Sequence, residues 1–576
     1  MTDMTATIDC RGSDKPVSAY RLKRYIWQSP IFLWLLILVF LPNLLLLGVS
    51  FLKSGDTGIV WSFTLNNYIR ASQSPGVWRL LIKTILTASV STGVAAAIAY
   101  PMAYYAARTL RRGQFIFVLL VIIPLWISLL MRIFAWRVLL GENGVLNTFL
   151  MSVGVISEPS SALLYSNFAV LLTFVYVSIP FIFIAVYSAI ERIPHALVEA
   201  AGDCGASQGR TFWSIIWPLS KPGFAIGVAL SFLMAVGDYV TPSMVGGLDG
   251  TMLGMVISSQ FGIAGDWPYG AALSVLLLLA VTIVLAIVFK LTRVPGILVG
   301  EGGSNVPMRR PRTMTARIRA ALAFGAFLLP YVFLYAPLII IGIFSFNASS
   351  VQVFPLTGFS FHWYEDALAN PSLIAALERS IYVGSAVLLI SVISGTGFAV
   401  AFAYSKVAGA RWVEQMLALP LAIPGVVLGV TLVLAFGILG LPVGTPRFVL
   451  GHATFVMPVV MMTVVGRLRR LDPSLVEASW DLGATNFQTF THVLIPLVKS
   501  AIIGGALLGF TLSFDEVVVS LFLSGSEPTL PIWVWNQMRF GFTPSVNAVF
   551  VCIGVFSIAL TYTTRKFLGS KSAMGS

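Results

Sequence analysis

Acidic side chains inside hydrophobic runs are the first residues in this 576-residue chain that could do chemistry. Asp238 stands in one apolar run, and the neighbours Asp515 and Glu516 stand in another. Placing a charge at a bilayer centre costs about 2.5 to 3.5 kcal/mol on insertion scales, so such residues are read as functional by default. Asp238 and Glu516 correspond at an offset of 278, and each follows Pro222 or Ser500 by 16 residues. At about 1.5 Å per residue this places them roughly 24 Å up a helix, in its outer third. On one reading they form a negative mouth suited to a cationic substrate, with Tyr239, Trp126 and Trp136 as cation–π surfaces. On the other they are wet interfacial residues near helix ends with a structural role. Arg132 and Arg137 complicate the cationic reading, because their counterparts at an offset of 296 are Leu428 and Val433. Arg132 could line a path for an anion; the preferred reading is a structural pair with Asp238.

A second constellation is short, polar and duplicated. Glu199-Ala200-Ala201, followed by Gly205, Ile215 and Pro218, recurs 278 positions later as Glu477-Ala478-Ser479, Gly483, Val493 and Pro496. Asp203 and Lys221 fall on Asp481 and Lys499 in the same alignment. In the first copy a short helix begins near Pro194, with Leu197, Val198 and Ala201 on one side and Glu199 off that stripe. Gly205 supplies the left-handed residue that ends it. Each copy is therefore a compact helical knob between two hydrophobic spans.

The elements that must position these residues are membrane spans. The chain is 57% hydrophobic and 10% charged, with mean hydropathy +0.90, which excludes an ordinary soluble domain. About twelve apolar stretches are long enough to cross a hydrocarbon core, at about 20 helical residues each. They fall near 31–51, 79–107, 115–139, 167–189, 218–241 and 270–289, then 322–346, 378–404, 413–440, 449–466, 496–522 and 545–564. The net charge of +13 is explained by topology, since roughly 27 of the 36 Lys and Arg lie in alternate loops and the tails. Both termini are then cytoplasmic, and no nucleic-acid partner is required. Residues 1–29 read as a basic cytoplasmic tail, 30–292 and 321–566 as two transmembrane domains, 293–320 as a cytoplasmic linker and 567–576 as a second tail. The expected fold is an all-α membrane protein of two six-helix halves, parallel rather than inverted. The offset changes from 296 near Pro124 and Pro420 to 278 near Pro180 and Pro458. The difference, 296 minus 278, places 18 extra residues in the external 141–166 loop.

No phosphate loop of the Gly-x-x-x-x-Gly-Lys-Ser/Thr type occurs, so energy from ATP would have to come from another chain. His195, His362, His452 and His492 are scattered without metal-ligand spacing, and no nucleophile elbow or zinc-protease motif is present. No catalytic residue, metal or cofactor is expected.

The duplicated knob resembles the EAA signature of ABC-importer permeases. Further resemblance to spermidine/putrescine-type permeases lies in Arg132 to Asn147 and Gly237 to Gly247 in the first half, and in Ser345 to Asn370 and Thr511 to Ser520 in the second. The resemblance implies a type I importer fold in the inner membrane, with the two permease subunits fused. It also implies two ATPase subunits that bind ATP and Mg and dock at Glu199, Ala200, Ala201 and Gly205 and at Glu477, Ala478, Ser479 and Gly483. A periplasmic solute-binding protein would deliver the solute. A polyamine is the expected cargo, with ferric ion, aminoethylphosphonate or an opine as alternatives. An ion-coupled secondary transporter is the alternative of another class.

Overall fold

Two runs of helices, one per half, repeat each other almost register for register. The computed structural model describes residues 30–55, 58–110, 113–292, 314–350, 352, 356–404, 416–540 and 544–555, with side chains described except at Trp126, 314–321, Ala323 and Phe540. The expected tails at 1–29 and 567–576 and most of the linker lie outside the described residues.

The first half contains α1 (Pro30–Val49), an antiparallel hairpin of β1 (Lys53–Gly55) and β2 (Gly58–Val60), then α2 (Asn66–Gln73) and α3 (Pro75–Arg108). It continues through α4 (Gln114–Ile122), α5 (Leu129–Leu140), α6 (Val145–Ser152), α7 (Asn167–Glu191) and α8 (His195–Asp203). It closes with α9 (Gln208–Gly237), α10 (Val240–Val245), α11 (Leu253–Phe261) and α12 (Trp267–Thr292). The second half contains α13 (Met314–Phe344), α14 (His362–Ala369), α15 (Pro371–Tyr404), α16 (Gly425–Ile438), α17 (Thr445–Leu468) and α18 (Ser474–Asp481). It ends with α19 (Asn486–Phe514), α20 (Val518–Leu523), α21 (Leu530–Phe540) and α22 (Ser545–Val555).

The offset of 296 carries α3 onto α15 end for end, and the offset of 278 carries α10 onto α20 in the same way. Local sequence explains the shared starts. Pro75 occupies the first turn of α3, where its missing N–H costs nothing. Ser166 caps α7 by accepting from Ala169 N at 3.2 Å. The extra residues of the 141–166 loop form α6, whereas the second half joins α16 to α17 through 439–444.

Nine of the described helices are long and apolar enough to cross a bilayer. The third expected span is broken between Leu125 and Leu129 with an 88° bend. Among the described residues its counterpart is α16 preceded by a single turn, Leu419–Ala422, and the last expected span is described only as far as Val555. The expected fifth and eleventh spans do not run through to 241 and 522. They stop at Gly237 and Phe514, immediately before the acids. The helix expected from 322 begins at Met314, inside the stretch read as linker.

The halves interlock. α1 packs against α16 of the second half, and α13 packs against α5 of the first. Tyrosines secure the second exchange: Tyr331 and Tyr335 donate to the carbonyls of Phe117 and Leu120 at 3.1 and 2.8 Å, and Tyr176 donates to that of Leu334 at 2.9 Å. In a bilayer each hydroxyl needs such an internal acceptor, so these bonds fix where the swapped helix lies.

Candidate functional site

The acids sit where spans break. Asp238 follows the last residue of α9, and its Oδ1 accepts from the backbone N–H of Val240 and Thr241 at 2.8 and 3.0 Å. The Thr241 hydroxyl donates to its Oδ2. Asp238 therefore caps α10, and only 8% of its surface is exposed. Glu516 plays the matching part in the second half, its Oε1 accepting from Val519 N at 2.9 Å at the start of α20. Both acids are held at helix breaks, because the freed N–H groups after each break need an acceptor.

Each break packs on the restarted helix of the opposite half. Gly237 abuts Gly425, the first residue of α16; a methyl group at 237 would lie 2.9 Å from Pro424 C and overlap Gly425 N. The offsets convert this pair into Asp515 and Leu129, and there Asp515 Oδ2 accepts from Leu129 N at 2.8 Å. One contact of the pseudo-twofold pair is made by the absence of a side chain and the other by a carboxylate.

Arg132 lies one turn into α5 and is buried, 4% exposed. The expected pairing with Asp238 is not formed: among the described residues no acid lies within ion-pair distance of Arg132. Its helix begins against the second half's break and not against its own, since Asp515 caps α5 at Leu129 N. Among the described residues Arg132 Nε and Nη1 have no hydrogen-bond partner. Tyr239 is also buried, its hydroxyl 3.5 Å from the Val518 carbonyl and its ring 5.5 Å from that of Phe522. Trp136 was expected as an open cation–π surface, but it is buried against Tyr176 and Phe333, with centroids 5.7 and 5.1 Å away. The Trp126 side chain lies outside the described residues. Arg137 ties the halves at the rim, donating to the Met538 carbonyl and Tyr165 Oη, each at 3.2 Å.

Two residues essential to this geometry were not singled out by the sequence. His452 of α17 spans the second break, with Nδ1 2.9 Å from Ser513 Oγ and Nε2 2.8 Å from Ser520 Oγ. It is a buried histidine within an apolar span, where a polar ring needs partners. Arg108 is the last residue of α3. Its Nη2 donates to the carbonyls of Ile190 and Ile193 at 2.9 and 2.7 Å, and its Nη1 lies 3.3 Å from His195 Nδ1 at the start of α8.

The two knobs share one backbone design. In α8, Cys204 N and Ala206 N bond the carbonyls of Ala200 and Ala201; in α18, Leu482 N and Ala484 N bond those of Ala478 and Ser479. Gly205 and Gly483 have φ of 77° and 81°, the left-handed turn that this closure requires. Glu199, Ala200, Glu477 and Ala478 are exposed, and Ala201 is half-buried. Ser479 is buried and meets Thr489 Oγ1 at 2.8 Å. Leu197 does not join a packed stripe under the helix. It and its counterpart Leu475 are exposed, at 45% and 44%, and Trp480, Leu482 and Phe487 add further apolar surface to the second knob.

Residues 90–293 and 388–567 each match the family described as the binding-protein-dependent transport system inner membrane component. The chain belongs to that family. It is a multi-pass membrane transport subunit with two permease domains in one chain, and the swapped helices α1 and α13 lie outside both matched stretches. The permease is 36% identical over 261 residues to the spermidine/putrescine transport system permease protein PotB of Escherichia coli, covering 45% of this chain and 94% of that protein. It is 35% identical over 236 residues to the spermidine/putrescine transport system permease protein PotC of Haemophilus influenzae, covering 41% and 91%. Similarity to the putrescine transport system permease protein PotI of Escherichia coli is 35% over 240 residues, covering 40% and 85%. Each relative is spanned nearly whole by less than half of this permease, which agrees with a fusion of two subunits. Among solved structures it is similar to a bacterial ABC transporter involved in the import of the acidic polysaccharide alginate, at TM-score 0.37 and 17% identity, covering 45% of this chain and 99% of that one. Membership of the family agrees with the expected permease and leaves the alternative of another class, an ion-coupled secondary transporter, without support.

Proposed function

We propose that this permease forms the membrane path of an ATP-driven polyamine importer, carrying putrescine, spermidine or a close amino compound inward from the periplasm. Two copies of an ATPase subunit dock at the knobs, one around Glu199 and Gly205 and the other around Glu477 and Gly483. A periplasmic binding protein presents the solute, and both termini are cytoplasmic. The permease itself needs no cofactor; ATP and Mg belong to the ATPase.

The observation that supports polyamine cargo is the charge at the meeting of the breaks. Asp238, Asp515 and Glu516 place three carboxyl groups at the two breaks, and the guanidinium of Arg132 lies one turn into the helix that Asp515 caps. Among the described residues no close ion pair joins Arg132 to any of the three, and carboxyl groups gathered in this way suit a cationic solute. The printed names of the PotB, PotC and PotI relatives point to the same cargo.

The test is uptake of labelled putrescine and spermidine by proteoliposomes containing the permease, its ATPase and its binding protein. Glu516→Gln keeps a carbonyl acceptor for Val519 N while removing charge. Uptake is expected to fall at least about tenfold, equivalent to about 1.4 kcal/mol along the path, with ATPase association retained. Unchanged polyamine uptake by this variant would remove the acids from the path.

A further inference from the structure

The two knobs have one backbone design and different surfaces. At the 278 offset, Trp480, Leu482 and Phe487 of the second knob fall on Gly202, Cys204 and Gly209 of the first. Those three apolar side chains are 49%, 89% and 74% exposed, whereas Leu475 and its counterpart Leu197 are exposed to the same extent. The hydroxyls of Ser479 and Thr489 also tie α18 to α19 at 2.8 Å, a bond that Ala201 cannot make with Thr211 in the first knob. The second knob is therefore the more apolar and the more firmly held of two copies of one shape.

The unmatched residues stand at the far end of the loop. Leu482 caps α18 midway along the chain between Leu468, where α17 ends, and Ile495, where the apolar part of α19 begins. Leu475 precedes it by two helical turns on the same face. The first half's Trp213, at the position of Thr491, does not supply the missing surface. Its ring meets those of Phe212 and Trp217 at 5.2 and 6.2 Å, and Phe212 meets Tyr104 of α3 at 5.8 Å, so Trp213 belongs to an aromatic cluster at the foot of α3. Large apolar side chains exposed together mark a surface that another protein covers, and interfaces favour aromatic residues such as Trp480 and Phe487.

We infer that the knobs are unequal seats for the ATPase: Trp480, Leu482 and Phe487 make the second the anchor, and Gly202, Cys204 and Gly209 leave the first the weaker seat. The inference rests on the ATPase docking proposed above and adds to it the knob that carries the affinity. Two copies of one ATPase subunit then meet two different surfaces, so the second knob is filled first and the first completes the pair.

The test titrates the full-length permease, in detergent and without nucleotide, with its purified ATPase subunit and reads the dissociation constant. Trp480→Ala with Leu482→Ser and Phe487→Ser is expected to weaken binding at least about tenfold, and Leu197→Ser with Cys204→Ser in the first knob by less than about threefold. Gly202→Trp with Cys204→Leu and Gly209→Phe, which copies the second surface onto the first, should tighten binding at least about threefold. A methyl group at Gly202 or Gly209 meets nothing within 4 Å, so the larger side chains have room, and a gain in affinity is not a result that misfolding produces. Equal losses from the two knobs, no loss from the Trp480 set, or no gain from the transplanted surface would overturn the inequality while leaving docking in place. Self-association of the permease that the Trp480 set abolishes, with ATPase binding unchanged, would give this surface to a second copy of the chain instead. Failure of wild type to bind the ATPase at all would overturn the docking reading, and the inequality with it.

Discussion

Asp515 of the second half accepts the backbone N–H of Leu129 in the first at 2.8 Å, so a side chain at one helix break caps the restart of another helix across the molecule. Hydrogen bonds to charged groups contribute about 1.5–3 kcal/mol. Asp515→Ala is expected to destabilise the permease by about that amount, and Asp515→Asn, which keeps an acceptor, by less. Thermal unfolding in detergent measures both. Equal midpoints for Asp515→Ala and wild type would show that the bond adds nothing.

The mirror contact predicts the opposite sensitivity. Gly237→Ala places a methyl group into the backbone of Pro424 and Gly425, which cannot rotate away. A loss of about 1–3 kcal/mol is expected from overpacking. Gly397→Ala is the control, since nothing lies within 4 Å of a methyl group there. If both variants express and unfold alike, the close approach has no energetic meaning.

Glu199 and Glu477 are exposed, and among the described residues no ion pair ties either carboxylate to its knob. Reversing both charges is expected to leave the fold intact and to abolish ATPase co-purification. Normal co-purification and transport by Glu199→Lys with Glu477→Lys would place the docking surface elsewhere.

His195 couples the first knob to pH. Burial, and then the neighbouring Arg108, push its ring below the ordinary value of 6.5, with Glu199 one turn on opposing them. The folded knob therefore favours the neutral ring, whose Nδ1 accepts from Arg108. The unfolded segment takes up the proton first as pH falls, so the contribution is complete above about 6.5 and is lost progressively below it. The Cys204 and Ala206 amides, which bond the Ala200 and Ala201 carbonyls, report the opening by hydrogen exchange. The opening equilibrium read from that exchange, relative to His195→Gln at each pH, should rise about twofold from about pH 7.5 to 5.5. A constant ratio would separate His195 from the knob's stability.

His452 clamps α19 to α20 across the second break through Ser513 and Ser520. His452→Ala removes both bonds and leaves a cavity, for an expected cost of about 2–4 kcal/mol. His452→Gln, with one donor and one acceptor of similar reach, should recover part of it. A transport defect without any loss of stability in His452→Ala would make the clamp a moving part and not a brace.

Much of this was legible in the sequence because repetition leaves marks. Glu199 and Glu477 mark the knobs, and the change of offset places the extra residues in the 141–166 loop, though not the helix α6 that they form there. The breaks at Asp238 and Glu516 were not legible, since hydropathy runs smoothly through Tyr239-Val240 and Val517-Val518-Val519 and records no change in backbone direction. The expected pair of Arg132 with Asp238 is not formed, for a related reason. Alignment compares a half with its copy, whereas Asp515 reaches Arg132's helix only through exchange between halves. His452 and Arg108 act through serines and backbone carbonyls, which carry no spacing that a sequence reading can recognise.

The exchange of α1 and α13 makes each half an incomplete object: the surface that closes around one break is made by residues encoded in the other half. Covalent continuity removes the risk of a mismatched partner, so the two copies of this contact are free to diverge. Gly237 with Gly425, and Asp515 with Leu129, are two solutions to one geometric problem, inherited together on a single strand of code.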